Sequence, residues 1–407
     1  MDKSYLDDLP SYDSVVRQWY HRRRYRRWIR VCVIVGFFFF TYYFTYYSKY
    51  VSKSPNRLSI SKLQAQHASC AALRQVPVDP VGPRLLNKRW INGTRPLLIK
   101  NATVWTGEPS PGTSDKDARL GIGYNWVTSD VLVDHGLIVK VGPTIDGTEL
   151  PEDCVIYDAR GRQLTAGIVD MHSHAGLGGF GSLGDDTNEL SGDITPYVKS
   201  LDGFNPIHPE IQWIKSGGVT ASLILPGSGN NIGGQAFVVK MASGKSNGRT
   251  EISQEDMLAD PDKTWRYMKM ACGENPKRVY GKIGRGPFSR LGEAWEFRHA
   301  FEQAKKYVES QDDWCHTADQ LGAQNMNEYL PSDIQWESLG AVLRGQVRVN
   351  THCYTIPDLE AYVRHTNEFK FRVYAFHHAH QTYLVPEVLK RAYGGTPAAA
   401  LFADNSE

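Results

Sequence analysis

The hydrophobic rhythm of the chain changes twice. From Pro96, LLIKNATVWTG, DVLVDHGLIVKVG and CVIYDARGRQL are β-branched runs bounded by Gly, Asp and Pro. Such closely spaced runs predict antiparallel strands of a small sheet or sandwich over residues 96–165. After Ala166 the runs GIVDMHSH, GVTASLILPG, WRYMKMACGE, QVRVNTHCY and FRVYAFHH read as buried strands. EAWEFRHAFEQAKKYVES, IPDLEAYVRHTNEF and YLVPEVLKRAY carry apolar residues at helical spacing. Strands alternating with helices predict an α/β fold with a parallel sheet, either a barrel or a doubly wound sheet.

A different pattern stands at the N-terminus. VCVIVGFFFFTYYFTYY, Val31 to Tyr47, is uncharged over about 17 residues, the lower limit for a helix that spans a bilayer. Arg22, Arg23, Arg24, Arg26, Arg27 and Arg30 precede it. A signal peptide would need small residues after the apolar run, and Tyr, Lys and Val stand there. The expectation is therefore a cytoplasmic tail (1–30), a transmembrane helix (31–51) and a stem (52–95) with Pro77, Pro80 and Pro83. Basic flanks stay cytosolic, so a single-pass type II orientation follows, with the lipid bilayer as partner of residues 31–51. The sequons at Asn92 and Asn101 fall on the lumenal or extracellular side of that arrangement and agree with a glycoprotein.

Composition narrows the reading. With 41% hydrophobic and 22% charged residues, the 407-residue chain can bury a sizeable core. The net charge of +2 is concentrated in the arginine cluster, and no second basic stripe follows, which argues against nucleic acid as a partner. Five cysteines lie outside the apolar run at irregular spacings, so no disulfide framework is expected, with room for one bridge.

The chemistry-bearing residues cluster on the predicted strands. Side chains alternate along a strand, so Asp170, His172 and His174 share a face, and two histidines on a rigid strand can chelate one metal ion. A lone HxH triplet also arises by chance, as His378-Ala-His380 shows. The acidic loop Asp185, Asp186, Glu189 and Asp193 reads as solvated. GSGNNIGG lacks the GK[ST] of a phosphate loop and reads as a substrate loop.

LTAGIVDMHSHAG resembles the first barrel strand of the amidohydrolase superfamily, and GSGNNIGGQAFVVKM, MACGENPKRVYG, VNTHCYTIPDL and AFHHAHQTYLV continue the resemblance in order over residues 96–407. The likeness is to the imidazolonepropionase-like branch, and more loosely to the carbohydrate esterase family 9 deacetylases. It implies a TIM-type (β/α) barrel over 166–407 beside a small β-sandwich. It also implies a site for one or two divalent ions such as Zn²⁺, and hydrolysis of non-peptide C–N bonds of a small amide by a metal-activated water. Carried over, the metal ligands are His172, His174, His352 and His378, with His377 as the rival at the sixth strand on its opposite face. Glu274, or a carbamylated Lys240 or Lys269, takes the remaining position. The resemblance departs at the C-terminus: the family's eighth-strand Asp has no counterpart, and Asp404 comes too early. The barrel is therefore expected to be incomplete and its catalytic carboxylate unassigned. The alternatives are a catalytically incompetent truncated product and an N-acetylglucosamine-type deacetylase.

Overall fold

The computed structural model describes residues 12–50, 58–79, 81–179, 184–242, 253–262 and 264–401. Residues 1–11 of the expected tail, 51–57 around the start of the stem, Pro80 and Asp404 lie outside the described residues. The chain forms two compact units, Met1–His67 with Leu321–Tyr329, and Ala68–Gln320 with Leu330–Glu407.

The first unit is dominated by helix α1 (Tyr12–Tyr50). At 1.5 Å per residue it runs about 58 Å, well beyond a hydrocarbon core of about 30 Å. Within it, Trp19–Tyr47 is long and apolar enough to cross a membrane by length and composition, and none of the window is buried in the protein. The hydroxyls of Thr41 and Thr45 donate back to the carbonyls of Phe37 and Thr41, which satisfies them without water. Phe40–Phe44, Tyr42–Tyr46 and Tyr43–Tyr47 stack one turn apart. At the far end of this unit the Ser59 amide donates to the Tyr329 hydroxyl.

Helix α2 (Ile60–Arg74) occupies part of the segment expected to be an irregular stem. Its prolines come after it, so nothing in the sequence breaks it. The second unit then opens with β1 (Leu97–Trp105), a short α3 (Asp115–Arg119), β2 (Trp126–Asp134), β3 (Leu137–Gly142), β4 (Val155–Asp158) and β5 (Gln163–Thr165). Among the described residues these strands make a single five-stranded sheet rather than two facing layers. The β1–β2 and β2–β3 pairs are antiparallel, whereas β4 and β5 both run parallel to β1. That departs from the all-antiparallel expectation, because the chain between β3 and β4 crosses back before pairing.

The larger sheet contains β6 (Ile168–Ser173), β7 (Val219–Ile224), β8 (Ile232–Lys240), β9 (Arg266–Ala271), β10 (Val347–His352), β11 (Val373–His377) and β12 (Ala398–Ala400) in the order β12-β11-β10-β9-β8-β7-β6. Six strands run parallel and β8 runs antiparallel to both neighbours. A parallel crossover needs about a dozen residues, and residues 225–231 between β7 and β8 are too few. GSGNNIGG is thus not only a loop, since its last three residues begin β8. Gly234 marks the entry, with φ +119° and Val198 O 2.7 Å from where a Cβ would stand.

The crossovers carry α4 (Ser200–Gly203), α5 (Pro209–Ser216), α6 (Glu274–Lys282), α7 (Arg290–Leu321), α8 (Glu337–Leu343), α9 (Ile356–Phe369) and α10 (Pro386–Lys390). The main core forms where α7 and α9 cover β9–β11, through Met268, Met270, Phe297, Phe301, Leu359, Tyr362 and Phe376. Two disulfides, Cys70–Cys315 and Cys272–Cys353, join positions 245 and 81 residues apart. At most one bridge was expected. Such distant pairs leave no spacing signal in a sequence.

Candidate metal centre

The sheet curls so far that His172 Nδ1 on β6 lies 2.9 Å from His377 Nδ1 on β11. Those strands are five intervals apart, about 24 Å on a flat sheet. The curl therefore forms a nearly closed barrel and gathers histidines from three strands at one end. The rings of His174, His377 and His378 each lie 5.0 Å from that of His172. His352, ending β10, has its Nδ1 3.1 Å from His378 Nε2.

His377 and His378 are both in this cluster, contrary to the expectation that only one would face it. Strict alternation fails because His378 lies just past β11 with φ +39°, a left-handed turn that swings its ring back over the same end. His377 Nε2 is anchored on Asn350 Oδ1 at 2.9 Å. His174 Nδ1 sits 2.8 Å from the Leu225 carbonyl, which must accept a proton from it; its Nε2 therefore carries the lone pair, the tautomer of a metal-ligating imidazole. His352 Nε2 is buried without a hydrogen-bond partner.

Lys269, in the middle of β9, is fully buried, and its Nζ donates to the Pro226 carbonyl at 3.2 Å. Burial pulls its ammonium down to about 7. Burial also pulls all five histidines below their usual range, with His377 at about 3 and His378 at about 4, and the field of Lys269 adds to each. The imidazoles are thus neutral at pH 7, the form that binds a metal.

Glu274 stands apart from this cluster. It opens α6 just after Gly273, whose φ of +91° turns the chain away from β9. Its carboxylate is half-exposed and faces Arg290 Nη2 at 3.9 Å. Lys240 ends β8 at its far end, next to Ala221 of β7. Of the three candidates for the remaining ligand, the fold brings only Lys269 to the histidines. The acidic loop is less detached than expected: Asp185, with Asp170, lies close enough for its charge to act on His174. Asp185, Asp186 and Glu189 line a cavity of about 660 Å³ that reaches Pro226 but not the histidine rings.

Among the described residues no three His, Cys, Asp or Glu side chains are grouped so as to hold an ion as they stand. The ring nitrogens are instead turned on one another. The donor set itself fits a divalent ion: buried neutral imidazoles, one with an unpartnered nitrogen and one with its tautomer fixed by a carbonyl.

The site is thus a group of histidines gathered at one end of a curled, mostly parallel α/β sheet. No protein-family model matches the chain. Amidohydrolase tasK of Hapsidospora irregularis is 58% identical over 358 residues, which cover 87% of this chain and 36% of that protein. The chain thus spans about a third of the length of that curated relative. The crystal structure of an amidohydrolase from Thermotoga maritima MSB8 is similar with a TM-score of 0.58 and 34% identity, over 72% of this chain and 67% of that one. The chain belongs to the amidohydrolase family.

Proposed function

We propose that the barrel is the metal-dependent catalytic part of a membrane-anchored hydrolase that cleaves non-peptide C–N bonds in a small amide. The observation that carries this reading is the set of neutral histidines packed around buried Lys269. His172, His174, His352 and His378 would hold the metal. A divalent ion such as Zn²⁺, one or two, supplies Lewis acidity, polarising a carbonyl oxygen and lowering the pKa of a water.

The remaining steps belong to the protein. The Leu225 carbonyl fixes the His174 tautomer, and Asn350 steadies His377, which in turn orients His172. Lys269, near its midpoint at pH 7, presents a neutral amine that can add to CO₂. A bond then forms from Nζ to the CO₂ carbon and one proton leaves to solvent, giving a carbamate whose oxygens serve where Glu274 was expected. Substrate would approach from the side of the cavity that Pro226 lines, because the Pro226 carbonyl accepts from Lys269. The identity of the two relatives and the helix α1 support a family hydrolase with its catalytic part on the far side of a membrane from the arginine cluster. Two disulfides support an oxidising compartment for that part. Asn92 and Asn101 are both exposed, as glycan acceptors must be.

Metal analysis of the purified full chain tests this reading. Bound zinc is expected to be lost in His174→Asn and kept in Glu274→Gln, with amide turnover following the metal. Loss of metal in Glu274→Gln with retention in His174→Asn would sink it.

A further inference from the structure

The arginine cluster of α1 is more than a topology signal when placed on the helix. At about 100° per residue, Arg22, Arg23, Arg24, Arg26, Arg27 and Arg30 fall within a sector of about 200°. His21, Tyr25, Trp28 and Ile29 occupy the opposite sector. All ten residues from His21 to Arg30 are exposed. The Arg23 guanidinium carbon lies 3.8 Å over the Trp19 ring, so the basic side also carries an aromatic. No Asp or Glu occurs between Ser14 and Tyr47, and the acidic residue of the helix, Asp13, lies nine positions before Arg22.

We propose that this face of α1 binds anionic phospholipid headgroups at the membrane surface. The inference rests on the reading of α1 as a membrane span. Arg30 abuts Val31, the first residue of the uncharged run, which puts the next two helical turns at headgroup depth. A guanidinium presents paired N–H donors that match two phosphate oxygens, and Trp and Tyr settle at the same interface. Lipid is favoured over a soluble polyanion by that continuity: the charged sector and the apolar run are one unbroken helix.

The test uses the full chain in neutral detergent, titrated with phosphatidylserine or with phosphatidylcholine, and counts retained lipids by native mass spectrometry. Phosphatidylserine is expected to be retained at least about tenfold more tightly, with about fivefold lost per arginine removed. Arg22→Gln, Arg23→Gln, Arg26→Gln and Arg27→Gln combined should abolish the preference, while the matching four Lys substitutions keep it. Salt near about 0.5 M should erase it. Equal retention of the two lipids, an unchanged preference in the Gln variant, or tighter binding of an RNA oligonucleotide at the same salt overturns the proposal. Alkaline carbonate extraction separates the two levels. A chain that stays in the membrane but shows no lipid preference defeats only this inference, whereas a chain that is extracted defeats the span reading as well.

Discussion

Lys269 is the residue on which the site turns. It sits between Met268 and Met270, which face the main core, so its own side chain points to the other face, toward the histidines. A lysine inside an apolar strand buried on both faces is itself a signal, and that signal was in the sequence. What the sequence concealed was the contrast with Glu274, which only the left-handed turn at Gly273 removes from the cluster. Lys269→Met keeps the volume and removes a desolvated amine. The expectation is an unchanged or raised melting temperature, together with a loss of at least about tenfold in metal affinity. Calorimetric melting alongside zinc titration checks it; a variant that binds metal as tightly as the parent would remove Lys269 from the ligand set. That His172 and His174 share a face was legible from strand alternation, whereas His352 entered only through the family resemblance. The left-handed turn that brings His378 back beside His377 has no sequence signature.

Among elements, α9 was the most legible. The segment IPDLEAYVRHTNEF and the helix Ile356–Phe369 coincide because Thr355 and Asp358 form a reciprocal capping box and a proline fills the first turn. Strand β8 was the least legible, since its glycines read as loop and its direction depends on a partner choice that no local pattern encodes. α9 also carries a pH-sensitive residue away from the histidine cluster. His365 is buried against Phe297, with their ring centroids 5.5 Å apart, and its Nδ1 lacks a hydrogen bond. Burial, then Arg298 and Arg364, pull its pKa to about 4. An unfolded histidine titrates near about 6.5, so between those values the unfolded chain binds the extra proton. Stability contributed by keeping His365 neutral is therefore intact above about pH 6.5 and falls as pH drops toward 4, by about 3 kcal/mol. Urea melts of the parent and His365→Gln at pH 7 and pH 5 check it. The parent should lose more stability on acidification than the variant, and equal losses would show that His365 does not titrate as described.

At the scale of the whole molecule, the curl that builds the site leaves the large sheet with two terminal strands among the described residues, β6 and β12. A terminal strand presents unpaired N–H and C=O groups, and soluble proteins usually guard it with charge, proline or a bulge. β6 has one charge, Asp170, and register irregularities against β7, but its apolar side chains stay open. Ile168, Val169 and Met171 are 52%, 63% and 55% exposed, and its side chains are apolar except for Asp170, His172 and Ser173. The same strand carries His172, so pairing at this edge and order at the site are mechanically linked. If another strand adds beside β6, association should rise with concentration and should be relieved by charge on that edge. Val169→Lys with Met171→Lys removes two of the three exposed apolar side chains of β6 without replacing His172, and because both positions are exposed the cost in stability should stay within about 0.5 kcal/mol. Sedimentation velocity on the full chain in detergent is the direct measurement: the parent should show a concentration-dependent shift to larger species, and the double variant should not. Equal sedimentation of the two chains would mean that the β6 edge is already covered, and the exposed apolar side chains would then need a different account.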